Sequence, residues 1–139
     1  MRARNLLAIP ALVVAVVGLM TVSAVADENA PPVLGWLLLN PPSVGADGGS
    51  VDVSIPVTDP DGTVASVTAT AYSRYGNYVT ATLGPDSGSD TWSGALYIPA
   101  NYSTDSDEWQ VEISAVDDVG ATTTEILSSI SQGAQPPPF

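Results

Sequence analysis

From Pro31 onward the chain alternates apolar and polar residues with a period of two, and turn-forming clusters interrupt it about every ten residues. A period of two sends successive side chains to opposite faces of a strand, so each such run has one face to bury against another sheet. The clearest run places Val51, Val53, Ile55 and Val57 on one side and Asp52, Ser54 and Thr58 on the other, with Pro56 on the polar side. A proline there points to an edge position or a bulge. The same logic sets Val67, Ala69 and Ala71 inward on a third strand, and Trp92, Gly94, Leu96 and Ile98 on a shared face of a fifth. Trp109, Val111, Ile113 and Ala115 point inward on a sixth.

The remaining strands are expected over Val33 to Asn40, Tyr78 to Leu83 and Thr122 to Ser129. On the first of these, Leu37 and Leu39 oppose Trp36 and Leu38, and Pro41-Pro42 ends it. Asp59-Pro60-Asp61-Gly62 has type I turn chemistry, and Asp117-Asp118-Val119-Gly120 makes the last turn. β-branched residues and turns leave no room for a helix. The expected fold is all-β: roughly seven antiparallel strands in a sandwich. Residues 132–139, with three consecutive prolines, read as a tail.

Arg2 and Arg4, the apolar run from Leu6 to Met20, and Ala24-Val25-Ala26 form a cleavable secretory signal peptide over 1–26. An uncleaved anchor is the alternative, since Leu6 to Ala26 approaches the spanning length of about 20 residues. Cleavage leaves 139 − 26 = 113 residues, enough for one core over 27–131. The expected product is secreted or held at the cell surface, without membrane insertion.

The processed chain contains no histidine, cysteine or lysine, and Arg74 is its single basic side chain. Imidazole- and thiolate-based nucleophilic centres, His/Cys zinc sites and lysine Schiff bases are therefore excluded. All fifteen acids follow residue 26, so the processed net charge is 1 − 15 = −14. Such a field repels nucleic acid and anionic lipid. Two readings of the acidity stay open: solubility with a codon bias against lysine, or life in high salt, where screening shortens to about 3 Å at 1 M. Without disulfides, stability has to come from packing.

Three segments carry a resemblance. Val57 to Gly62 followed by Val64 to Ala69, then Ser93 to Asn101, then Val111 to Thr123, in this order and spacing, resemble strands two and three, five, and six and seven of bacterial and archaeal immunoglobulin-like (fibronectin III-like) extracellular modules. The likeness covers about Pro31 to Ser129. It implies a β-sandwich of the kind repeated in surface adhesins or appended to secreted hydrolases. It implies no activity.

Candidate sites follow from that path. The loops after the second, fourth and sixth strands would gather at one end beside Asp27 and Glu28, bringing Asp59, Asp61, Asp86, Asp90, Asp117 and Asp118 together. Asp59, Asp61, Asp117 and Asp118 are candidate calcium ligands, since calcium takes six to eight oxygens; Asp also suits turns for purely local reasons. The hairpin Tyr72-Ser73-Arg74-Tyr75-Gly76-Asn77-Tyr78 has the composition of a recognition loop. Tyr72, Arg74, Tyr75 and Tyr78 are its candidate binding residues, with Trp36 as a separate exposed aromatic. Asn101-Tyr102-Ser103 is a glycosylation acceptor pattern. Carboxylates alone, without a cleft, point away from catalysis. The expected role is a non-catalytic structural or adhesive module for a protein or glycan ligand. A small carbohydrate-binding module, or an accessory domain of a secreted hydrolase, is the alternative.

Overall fold

The structure, a computed structural model, describes residues 28–137. The signal peptide expected over 1–26, Asp27 and the last two residues lie outside the described residues. The described chain is all-β: β1 (Val33–Leu34), β2 (Leu38–Asn40), β3 (Ser43–Val44), β4 (Gly49–Thr58), β5 (Val64–Ser73), β6 (Tyr78–Pro85), β7 (Thr91–Ile98), β8 (Asp107–Asp117) and β9 (Thr122–Gln132). One sheet runs in the order β1-β4-β7-β6-β5-β8-β9-β3, with β2 also on β4.

The sheet curls until its inward rows meet, giving a sandwich-like body. β6 makes the turn between layers: it pairs with β5 from Tyr78 to Leu83, then with β7 at Gly84 and Pro85. Val51, Val53, Ile55 and Val57 of β4, and Leu96 and Ile98 of β7, are buried against Val67, Ala69 and Ala71 of β5 and Trp109, Val111, Ile113 and Ala115 of β8. Alternation places every one of these residues inward, and burial of the apolar rows is what holds the two layers together.

Two features depart from the expected seven-stranded, wholly antiparallel sandwich. The described residues form nine strands, and β3 pairs with β9 in parallel, Ser43 opposite Ser131 and Val44 opposite Gln132. The expected first strand, Val33 to Asn40, splits because its partner carries Pro56. β1 ends opposite Val57, Gly35 N–H donates to the Pro56 carbonyl at 2.8 Å, and β2 resumes at Leu38 opposite Ser54. Pro56 is therefore not on an edge strand, since β4 lies between β1/β2 and β7. A missing N–H is tolerated where the neighbouring strand is interrupted.

β9 also runs further than expected. Gln132, expected to open the tail, is its last residue and is buried. Its amide accepts from Trp109 Nε1 at 2.9 Å and donates to the Pro99 carbonyl at 2.8 Å. The turn before β4 depends on Gly48, whose φ is +79°. A Cβ there would collide with the Ile98 carbonyl oxygen, so no other residue fits.

Candidate functional site

The inward row of β8 begins and ends with a buried carboxylate: Asp107 is 6% exposed and Asp117 is 2% exposed. The strand is 11 residues long, which puts its two ends roughly 33 Å apart at about 3.3 Å per residue. Each aspartate organises a turn, and each turn carries one group of candidate residues. The two groups therefore sit at opposite ends of the molecule.

At the first end, Asp107 fixes the tyrosine hairpin. Ser73 Oγ donates to Asp107 Oδ2 at 2.7 Å, Arg74 N–H donates to Oδ1 at 3.3 Å, and Glu108 N–H donates to Oδ1 at 2.7 Å. Ser73 Oγ in turn accepts from Tyr75 N–H at 3.0 Å. The turn closes with Ser73 N–H donating to the Asn77 carbonyl at 2.8 Å. The Arg74 guanidinium approaches Asp107 at 3.8 Å and lies 5.8 Å from the Tyr75 ring centre. With Arg74 half exposed, that ion pair is worth at most about 1 kcal/mol, so it orients the side chain more than it stabilises the fold.

The tyrosines project from this fixed frame. Tyr72 and Tyr78 face each other across β5 and β6, ring centres 6.3 Å apart and tilted by 37°. Tyr78 is 66% exposed and Tyr75 52% exposed. Tyr72 donates its hydroxyl to Glu112 at 3.3 Å, and the Glu112 charge pushes its pKa above the ordinary value, so it remains a donor. A hollow of about 260 Å³ lies between Tyr72, Ser73, Arg74, Glu108 and Gln110. Sequence reasoning singled out the tyrosines and Arg74 but not Asp107, on which their turn rests. The signal was there, since the period-two row through Trp109 and Val111 runs back to it.

At the other end, Asp117 Oδ1 accepts from Val119 N–H at 3.0 Å and Ala121 N–H at 2.8 Å, and Oδ2 accepts from Asn29 Nδ2 at 2.6 Å. The Asn29 amide and these backbone donors hold its carboxyl below the ordinary range. Asp59, Asp117 and Asp118 each bring a carboxylate oxygen within 4.8 Å of the others. Asp61 turns instead to Ala30 N–H at 2.9 Å. Asp118 Oδ1 takes Thr63 N–H at 3.4 Å, while Asp59 Oδ2 is buried without a partner. Loss of hydration pushes the Asp59 carboxyl upward; the Asp61 backbone N–H opposes this, and the carboxylates of Asp61 and Asp117 add to it. Gly62 makes room for the cluster: a Cβ there would fall 2.8 Å from Asp118 Oδ1 and 3.1 Å from Asp59 Oδ2. Asp90 lines a shallow hollow of about 370 Å³ together with Asp59, Gly62 and Trp92. Asp86 is engaged elsewhere, accepting from Ser93 Oγ at 2.7 Å, and Glu28 is exposed.

Trp36 belongs to neither end. It lies between β1 and β2, 88% exposed, beside Leu38 at 64%, while Leu39 packs into the core. Asn101 is buried rather than displayed. Its Nδ2 donates to the Asp105 carbonyl at 2.8 Å and the Gly133 carbonyl at 3.1 Å, and its Oδ1 accepts from Ser103 N–H. Asn101 thus serves as a clasp between the loop after β7 and the end of β9. No protein-family model matches the chain, and no curated protein matches it.

Proposed function

We propose that this chain is a secreted or cell-surface, non-catalytic binding module of immunoglobulin-like path, and that the Tyr72–Tyr78 hairpin is its contact surface. The observation that carries this reading is the pairing of exposure with rigidity. Tyr72, Tyr75 and Tyr78 stand in solvent while a nearly buried Asp107 fixes the turn beneath them. A turn already held in its bound shape loses little entropy on contact, and tyrosine supplies large area with few rotatable bonds. The three sequence segments resembling extracellular immunoglobulin-like modules support the location. Attachment of the purified chain to cell envelopes of its source organism tests the reading. Arg74→Ala combined with Tyr75→Ala should weaken attachment at least ten-fold with the melting midpoint unchanged; full retention would overturn it.

A second reading concerns metal. The orphaned Asp59 Oδ2, within reach of Asp117 and Asp118, favours a calcium ion at this end, with loop carbonyls completing the shell. Without a cation, Asp59 is a liability. Its folded pKa is raised, so its favourable contribution is complete below the unfolded value near 3.8 and disappears as pH rises through the folded value. In chelator at pH 7, Asp59→Asn should therefore melt higher than the native chain, the gap closing toward pH 3. Millimolar calcium should raise the midpoint of the native chain alone. A native midpoint indifferent to calcium would remove the metal.

A further inference from the structure

The hairpin tyrosines end a larger surface. On the outer face of β6, β5, β8 and β9 the registers align Tyr78, Tyr72, Gln110 and Ser129 in one row. The next row runs Thr80, Thr70, Glu112, Ile126, and the third runs Thr82, Thr68, Ser114, Thr124. In a chain carrying fifteen acids, these rows hold one, Glu112. The hydroxyls are mutually ordered: Thr70 and Thr80 lie 3.2 Å apart, Thr80 donates to the Ala69 carbonyl, and Thr124 donates to Ser114 at 3.0 Å. A hydroxyl that donates once keeps acceptor capacity for a ligand.

We infer that this face binds a neutral polysaccharide chain, laid along the Tyr78–Tyr72 row with its hydroxyls over the threonine rows. This rests on the binding-module reading above and names its ligand class. Three observations converge on it. Two partly exposed rings offer apolar surface for the C–H faces of sugar rings, and Glu108, Gln110 and Arg74 place acceptors and donors around the adjoining hollow. At about 260 Å³ that hollow falls below the roughly 300–1,000 Å³ of ligand pockets, so it seats one sugar unit while the polymer continues across the open face. Charge then selects the polymer. A processed chain of net charge 1 − 15 = −14 with Arg74 as its single basic side chain repels uronate or phosphate polymers. The face itself carries the carboxylates of Glu112 and, at its margin, Glu108, which accepts from Ser129 Oγ at 3.1 Å, so a neutral chain is the polymer it tolerates.

The test is retention of the purified chain on insoluble cellulose, chitin and xylan and in gels containing soluble neutral glucan, with alginate as the anionic control. The expected result is binding to at least one neutral polymer, little changed between about 0.05 and 1 M salt because no ion pair carries it. Tyr72→Ala and Tyr78→Ala should each weaken it roughly ten-fold, Tyr72→Phe should retain most of it, and Thr68→Val with Thr70→Val should lower it several-fold. Circular dichroism of each variant confirms the fold. If no neutral polymer is retained while hairpin-dependent envelope attachment persists, the ligand class is wrong and the binding module stands. If both fail, both readings fall. Preferential binding to alginate, or a dimer that Tyr78→Ala converts to monomer, also overturns the glycan assignment.

Discussion

Replacing Trp109 by alanine should destabilise the protein by about 3–5 kcal/mol, a large part of the roughly 5–15 kcal/mol available to a domain of this size. Trp109 is 2% exposed and sits in the central inward row of β8, opposite Ile130 of β9. Truncation removes its apolar contacts, leaves a cavity, and strips Gln132 Oε1 of its donor. Trp109→Phe separates these effects: it keeps most of the volume and should cost about 1–3 kcal/mol for the buried amide oxygen left unpaired. Urea unfolding followed by circular dichroism measures both. With no disulfide to hold the chain, the alanine variant should unfold at much lower urea. An unchanged midpoint would contradict the packing described for the two layers.

Asp107→Ala should cost roughly 2–4 kcal/mol and loosen the Tyr72–Tyr78 hairpin at the same time. Its removal leaves Arg74 N–H and Glu108 N–H without their acceptor and frees the Ser73 hydroxyl. Under the proposed binding role, envelope attachment should fall as far as in the Arg74→Ala, Tyr75→Ala variant although Arg74 and the tyrosines all remain. Asp107→Asn retains one acceptor oxygen and should lie between. Hydrogen exchange at Tyr75 and Gly76 amides reports the loosening directly. Destabilisation with unchanged protection and unchanged attachment would show that the hairpin keeps its shape without the carboxylate.

The inward rows of β4, β5, β7 and β8 were legible because alternation is written into every residue of them. The break between β1 and β2 was not, because it depends on Pro56 of a different strand. The β3–β9 pairing was invisible for another reason: two residues joined over a long stretch of sequence leave no periodic trace. Gln132 and Asn101 look like surface residues by polarity alone. Their amides are buried because particular carbonyls and N–H groups wait for them, and only the tertiary structure supplies those partners. Asp107 and Asp117 were recoverable by extending the parity of β8 in both directions past its apolar stretch. The tyrosine hairpin was readable in outline, since register alone decides which tyrosines leave the core.

The curled sheet has a seam. One edge is formed by β1 and β2 along β4, the other by β3 along β9, and the link from β2 to β3 is Pro41-Pro42. An open edge ordinarily invites another chain to add a strand through free amide hydrogens. Here the crossing point presents two residues that have none, so the place where the wall fails to close is also a poor template for an intruding strand.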